Sequence, residues 1–95
     1  MSRAVVEAVQ RRDRDLAPQL RRAVSSVAFN LSKGFGVAGG HARVRFETAL
    51  GYLKEARTGI QVAIAWGYVS DAGCIEVLEC IDSLGGRVFG LARRR

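Results

Sequence analysis

The stretch from Gln19 to Gly36, QLRRAVSSVAFNLSKGFG, constrains the fold more than any other. Apolar or small side chains recur in it at the three- and four-residue spacing of an α-helix, at Leu20, Ala23, Val24, Val27, Ala28 and Leu31. Serines and Asn30 lie among them, although a helix has no intrinsic need for these residue types. Gly34 can supply the left-handed residue that ends such a helix. The pattern therefore predicts a central helix that the rest of the chain covers on more than one side.

Three further segments carry the periodicity of helices, and no segment alternates in the manner of a β-strand. Residues 3–12 predict a short first helix, residues 16–33 the second and residues 42–66 the third. The fourth helix is expected to begin after Ser70, a good N-cap residue. Because short connections place consecutive helices side by side in opposite directions, we expect an all-α fold, an antiparallel up-down-up-down four-helix bundle.

The boundary between the first two helices is open to two interpretations. The charged joint RRDRD covers residues 11–15, and either Asp13 or Asp15 could cap the second helix. Pro18 is tolerated in a first turn, because the N–H that proline lacks has no helical partner there. Pro18 could equally form a kink inside one long helix.

The third predicted helix carries two glycines and a second set of apolar residues. Gly51 and Gly59 are eight residues apart, so they share a face along which a neighbouring helix can approach closely. Tyr52, Val62 and Trp66 lie largely off the main apolar stripe of this helix. These three residues predict a second buried face and are our candidates for an oligomer interface.

Length and charge limit the classes of function. A chain of 95 residues is expected to form one domain, residues 1–95, whose stability is low unless the chain oligomerises. The net charge of +6 divides into +6 over residues 1–45, −4 over residues 46–86 and +4 over residues 87–95. Such polarity favours binding to a polyanion or to the acidic face of another copy. It is equally typical of an arginine-rich surface that only keeps a protein in solution.

Cysteine usage and hydropathy point to the cytoplasm. Cys74 and Cys80 lie six residues apart on the fourth predicted helix, on opposite faces, where no intrachain disulfide can form. Buried free thiols are therefore expected, which suits a reducing compartment. The N-terminus has no apolar run long enough for a signal peptide, and no window could span a bilayer. We expect a cytoplasmic, bacterial-type protein with no membrane partner.

Enzymatic constellations are weak in this sequence. His41 is the only histidine, and with Cys74 and Cys80 it lacks the close spacing of a zinc site. Glu76 and Glu79 share a helical face, but the histidines of a di-iron bundle are missing. The glycine-rich loop contains G-x-G-x-x-G without the strand that a dinucleotide fingerprint requires. We therefore expect a protein that is not an enzyme and that uses no cofactor or metal.

Two blocks of the sequence carry a resemblance to a known family. QLRRAVSSVAFNLSKGFG resembles the signature Q-L-R-R-A-x-x-S-I-x-x-N-I-A-E-G-x-G-R, with matches at Gln19, Leu20, Arg21, Arg22, Ala23, Ser26, Asn30, Gly34 and Gly36. FETALGYLKEARTGIQVAIAWGYV resembles F-x-x-I-A-x-G-S-x-x-E-x-x-x-x-L-x-x-A-x-x-x-G-Y, with matches at Ala49, Gly51, Glu55, Ala63, Gly67 and Tyr68, and at Phe46 one residue closer to Ala49 than in the pattern. Both blocks are similar to the four-helix-bundle family encoded within intervening sequences of bacterial 23S rRNA. That family includes Avd, the accessory variability protein of diversity-generating retroelements.

The resemblance implies more than the residue pattern does. It implies a homopentamer of four-helix bundles and, for Avd-like members, binding of RNA or DNA and of a partner reverse transcriptase through a basic surface. Four positions depart from the family pattern: Ser32-Lys33 replaces Ala-Glu, Val37 replaces arginine, and Tyr52 replaces serine. The first predicted helix is also shorter than is usual in the family. These departures bear on an Avd-like activity more than on the fold.

The candidate nucleic-acid-binding residues are arginines from three parts of the chain: Arg11, Arg12, Arg14, Arg21, Arg22, Arg43, Arg45, Arg93, Arg94 and Arg95. Guanidinium groups match the geometry of phosphate oxygens. No aromatic-rich stacking platform accompanies them, so we expect contacts to the backbone rather than to the bases. Arg21 or Arg22 could instead form an intersubunit salt bridge.

Asn30 is the polar residue that the helical pattern places among apolar neighbours. A buried amide must be hydrogen-bonded or it costs about 1–3 kcal/mol. We therefore interpret Asn30 as a structural residue that fixes the register of neighbouring helices.

Two hypotheses for the function follow. In the first, the protein is a non-enzymatic, homo-oligomeric, Avd-like binder of RNA or DNA. In the second, it is a structural or protein-interaction module that assembles through Tyr52, Val62 and Trp66 and binds no nucleic acid.

Overall fold

Four α-helices make up nearly all of the computed structural model, which describes residues 3–37 and 39–94. The helices are α1 (Arg3–Arg12), α2 (Leu16–Phe35), α3 (Gly40–Ala65) and α4 (Asp71–Arg94). No strand occurs in the described residues. Consecutive helices run in opposite directions, which confirms the all-α, up-down-up-down four-helix bundle with a short first helix.

Asp13 settles the boundary between α1 and α2. Its Oδ1 atom accepts hydrogen bonds from the backbone N–H groups of Leu16 and Asp15, both at 2.9 Å. The bond from Leu16 is the main reason why the pKa of Asp13 lies below its ordinary value. Asp15 makes no capping hydrogen bond with its side chain. Pro18 therefore lies in the first turn of a separate helix and does not kink a longer one.

The end of α2 differs from the prediction. Gly34 does not end the helix: it is helical and buried, and a Cβ atom at this position would lie 2.6 Å from the Phe46 ring. Because Gly34 has no side chain, the Phe46 ring of α3 can lie directly against α2. Gly39, at the start of α3, has φ of +64°, and Gly67 ends α3 with φ of +74°.

The last connection follows the prediction. Ser70 caps α4, because its Oγ atom accepts a hydrogen bond from the N–H of Gly73 at 3.0 Å.

Two apolar clusters lie along the bundle. The first contains Val5 and Val9 of α1 and is closed by α2, α3 and Cys74 of α4. The second lies toward the α2–α3 turn, is centred on Phe46 and involves only α2, α3 and α4. Since α1 is about 15 Å long and α2 about 30 Å, α1 covers only one end of the bundle.

An apolar groove of about 460 Å³ therefore remains between α2 and α4, and Glu76 is the one charged residue that lines it. Cys80 also lines this groove and is exposed, whereas Cys74 is buried; both thiols are free. The expectation that both cysteines are buried is wrong for Cys80.

Arg57 and Asp82 join α3 to α4 across the surface. The Arg57 Nε and Nη2 atoms donate to the two carboxylate oxygens of Asp82 at 2.8 and 3.4 Å. This pairing raises the pKa of Arg57 and lowers the pKa of Asp82. Both side chains remain partly open to solvent, so we count the pair as an orienting contact rather than a main source of stability.

Among the described residues, no helix has the length and apolar character that crossing a bilayer requires.

Candidate nucleic-acid interface

A surface depression lies between the first half of α2 and the middle of α3. It is a groove of about 950 Å³. Two glycines of α3 shape it in different ways. Gly59 lets α2 approach closely, because a Cβ atom there would lie 2.5 Å from Cδ2 of Leu20. Gly51, two turns earlier, has open space in front of it, so no part of α2 closes the groove at that point. The expectation that a helix approaches closely at both glycines is therefore correct only for Gly59.

Charged side chains surround this groove. Arg14 comes from the joint before α2, Arg22 from α2 and Lys54 from α3; the carboxylates of Asp15 and Glu55 also line it. All five residues are exposed. None of them forms a salt bridge in the part of the chain that the structure describes. The three cations therefore have no internal partner to lose when they bind an external anion.

We call this feature the α2–α3 groove and define it by Arg14, Arg22, Lys54, Asp15 and Glu55. Its arrangement suits a phosphodiester chain. Guanidinium groups can donate two parallel hydrogen bonds to a phosphate, and a lysine ammonium adds a mobile point charge. The local balance is three positive against two negative charges, so the groove attracts anions without being uniformly basic.

The structure divides the predicted arginines into groups. Arg11, Arg12 and Arg14 lie near the α1–α2 joint, and Arg22 follows within two turns of α2. Arg21 does not line the α2–α3 groove, since adjacent residues on a helix point about 100° apart. It is exposed all the same.

Four of the other predicted arginines, Arg43, Arg45, Arg93 and Arg94, lie toward the opposite end of a molecule that is 42 Å long. Arg43 forms a salt bridge with Glu47 at 2.9 Å within α3. The Arg93 guanidinium lies 5.5 Å from the centre of the Phe89 ring. Arg94 is exposed in the last turn of α4, and Arg95 lies outside the described residues. The nine candidate arginines that the structure describes therefore do not form one continuous surface.

Asn30 connects this second group to the core. It is only 8% exposed, and its Nδ2 atom donates to the Ser26 carbonyl oxygen at 2.8 Å. Its Oδ1 atom accepts a hydrogen bond from Arg45 Nη1 at 3.4 Å. The amide thus lies between α2 and α3 with both of its polar atoms bonded, which fits the structural role that we predict for it.

The three residues predicted for an oligomer interface have different environments. Tyr52 is half-buried and packs within its own subunit against the second apolar cluster. Val62 lies at the edge of the α2–α3 groove. Trp66 is 71% exposed at the C-cap of α3. Only Val62 and Trp66 therefore offer a substantial exposed surface.

Lys54 is the groove residue that the sequence pattern does not single out. It is an isolated lysine beside Glu55, in a segment whose net charge is negative. The available signal is its position three residues after Gly51, which places both residues on the same side of α3. This spacing indicates a groove residue only when the position of α2 beside α3 is known.

Among the described residues, no three His, Cys, Asp or Glu side chains form a group that could hold a metal ion. His41 is exposed in the first turn of α3. No family model, no curated protein and no solved structure matches this chain.

Proposed function

We propose that this protein is a homo-oligomeric four-helix bundle that binds the sugar–phosphate backbone of RNA or DNA and has no catalytic activity of its own. The observation that carries the proposal is the set of three exposed cations around one groove, Arg14, Arg22 and Lys54, which form no salt bridge with any described residue. The resemblance to Avd-like proteins supports the same class of ligand. It also suggests five subunits and a reverse transcriptase as a protein partner.

Electrostatics makes the proposal quantitative. Each subunit carries a net charge of +6, so a pentamer would carry about +30 and would attract polyanions from a distance. Binding that releases counterions weakens as the salt concentration rises. The logarithm of the binding constant falls against the logarithm of the salt concentration with a slope of about 0.7 to 0.9 for each phosphate contacted. Three cations per groove therefore predict a slope of about 2 to 3 for each occupied groove.

The test is fluorescence anisotropy with a labelled oligonucleotide over a series of salt concentrations. We compare Lys54→Gln with Lys33→Gln, which removes the same charge from the last turn of α2, outside the α2–α3 groove. Lys54→Gln should weaken binding and reduce the salt slope by about 0.7 to 0.9, whereas Lys33→Gln should change both much less. An affinity that is independent of salt, or equal losses in the two variants, would contradict the proposal.

Self-assembly without nucleic acid is the second candidate, and the exposure of Trp66 favours it. A tryptophan side chain that is so exposed to water is a common anchor of a protein–protein interface. The double variant Arg21→Glu/Arg22→Glu separates the two candidates when oligonucleotide binding and light scattering are measured together. If the protein binds nucleic acid, the double variant should lose oligonucleotide binding and keep its oligomer. If the protein only assembles with itself, the double variant should either lose its oligomer or change neither measurement.

A further inference from the structure

We infer that the α2–α3 groove admits single-stranded nucleic acid and excludes the double helix. This inference rests on the proposed function and specifies the form of ligand that its site accepts. It is carried by the width of the groove and by the two carboxylates among its cations.

The width of the groove follows from how α2 and α3 pack. Leu20 meets Gly59 where the helices approach most closely. Packed helix axes are about 8–10 Å apart, so a depression between two such helices is narrow. A double helix of RNA or DNA carries two backbones around stacked base pairs, so it is wider than the space between two packed α-helices and cannot enter it. A single strand can place successive phosphates between α2 and α3, the two helices that form the walls of the groove.

The carboxylates act against a duplex and in favour of a single strand. A duplex presents phosphates on its outside at one charge per about 1.7 Å of its length, and Asp15 and Glu55 repel them. A single strand can turn its ribose hydroxyls and base edges toward the same carboxylates, which then accept hydrogen bonds from amino groups such as cytosine N4. Gln19 and Thr58 line the groove as additional polar partners.

The length of the groove sets the size of the bound segment. It runs from Gly51 to Val62 along α3, which is about 16 Å at the rise of an α-helix. At about 3.4 Å per nucleotide of a stacked strand, this length holds about four to five nucleotides. No aromatic side chain lines the groove, so the phosphate contacts rather than base stacking supply the affinity.

The test compares a labelled 12-nucleotide RNA with a blunt duplex of the same sequence at 50 mM salt, using the intact protein. The single strand should bind several-fold more tightly than the duplex. Lys54→Gln should weaken single-strand binding by about five- to tenfold, which is the effect of losing one phosphate contact at this salt concentration. Lys54→Arg keeps the positive charge and should retain most of the affinity for the single strand. Lys33→Gln serves as the control for net charge. Circular dichroism melts verify that each variant is folded.

Glu55→Gln tests the part played by the carboxylates. Removing this charge should strengthen duplex binding more than single-strand binding, so the ratio of the two affinities should fall. An unchanged ratio would overturn the role that we assign to Glu55.

The remaining outcomes separate this inference from the proposed function. Equal or tighter binding of the duplex overturns the inference and leaves the proposed function standing. Single-strand binding that Lys54→Gln weakens no more than Lys33→Gln does overturns the assignment to this groove. No binding of either RNA at 50 mM salt overturns both.

Discussion

Gly59 of α3 lies directly against Leu20 of α2, with room for a hydrogen atom but not for a methyl group. A Cβ atom at Gly59 would stand 2.5 Å from Leu20 Cδ2 and 3.2 Å from Leu20 Cγ. Leu20 is buried and cannot turn out to solvent without opening the first apolar cluster. This contact fixes the distance between the two helices and, with it, the width of the α2–α3 groove.

A matched pair of alanine substitutions tests this contact. Gly59→Ala should destabilise the protein by about 1–3 kcal/mol, since overpacking outweighs the gain in helix propensity. Gly51→Ala, on the same helix with open space in front of it, should stabilise the protein by up to about 1 kcal/mol. Urea unfolding followed by circular dichroism measures both. Equal stabilisation by the two substitutions would mean that α2 and α3 are not in close contact at Gly59.

These two glycines also show how far the sequence predicts the fold. Helical periodicity predicts all four helices, because burial of one face imposes a repeat of three and four residues on each. The eight-residue spacing places Gly51 and Gly59 on one face but does not reveal that the neighbouring helix meets only one of them. The prediction that Gly34 ends α2 is wrong for a related reason: a glycine needed for close packing against Phe46 looks the same in the sequence as a glycine that ends a helix.

The candidate site was less predictable than the fold. Residue type alone makes every arginine a candidate phosphate ligand, but it does not distinguish Arg22, which lines the groove, from Arg43, which is paired with Glu47. Lys54 escapes prediction because its role depends on the position of α2 beside it. The charge of a side chain can be read from the sequence, whereas the set of charges that share one groove depends on how the helices pack.

The hydrogen bonds of Asn30 lead to a second prediction. Asn30→Ala removes a buried amide that bonds to the Ser26 carbonyl and to Arg45, and it should cost about 1–2 kcal/mol of unfolding free energy. Arg45→Gln should cost less than about 0.5 kcal/mol, because Arg45 is exposed and its bond to Asn30 is long. Urea unfolding of the two single variants and the double variant gives the coupling between the residues. A larger loss for Arg45→Gln than for Asn30→Ala would show that the guanidinium, and not the amide, holds the helices together.

Acid should destabilise the protein through Asp13 and Asp82. The pKa of each carboxyl is lowered in the folded state, Asp13 chiefly by the Leu16 N–H and Asp82 chiefly by Arg57. The stabilisation is therefore complete above about pH 5 and is lost as the pH falls through the ordinary carboxyl value of about 4 and below it.

Melting temperatures at pH 7, 5 and 3 measure this loss. Asp13→Asn keeps an oxygen that can accept the capping bonds but cannot titrate, so its melting temperature should fall less between pH 5 and pH 3 than that of the unmodified protein. Asp82→Asn should show a smaller fall as well, and the double variant the smallest. A fall of unchanged size in the double variant would assign acid sensitivity to other carboxyl groups.

The two cysteines should differ sharply in reactivity. Cys74 is buried in the first apolar cluster, and this burial, reinforced by the charge of Asp71, raises the pKa of its thiol and disfavours the reactive thiolate. Cys80 is exposed on the wall of the apolar groove. At pH 8, a thiol-specific disulfide reagent should modify one cysteine of the native protein rapidly and the second only at the rate of unfolding.

The variant Cys80→Ser identifies the fast thiol. It should remove the rapid phase of the reaction entirely and leave the slow phase. Cys74→Ser should remove the slow phase and leave the rapid one. Denaturant should bring the two rates together, because the difference arises from burial and not from the thiols themselves. If instead Cys80 reacts slowly in the native protein, its side chain is covered in solution, and the apolar groove between α2 and α4 is then occupied rather than open.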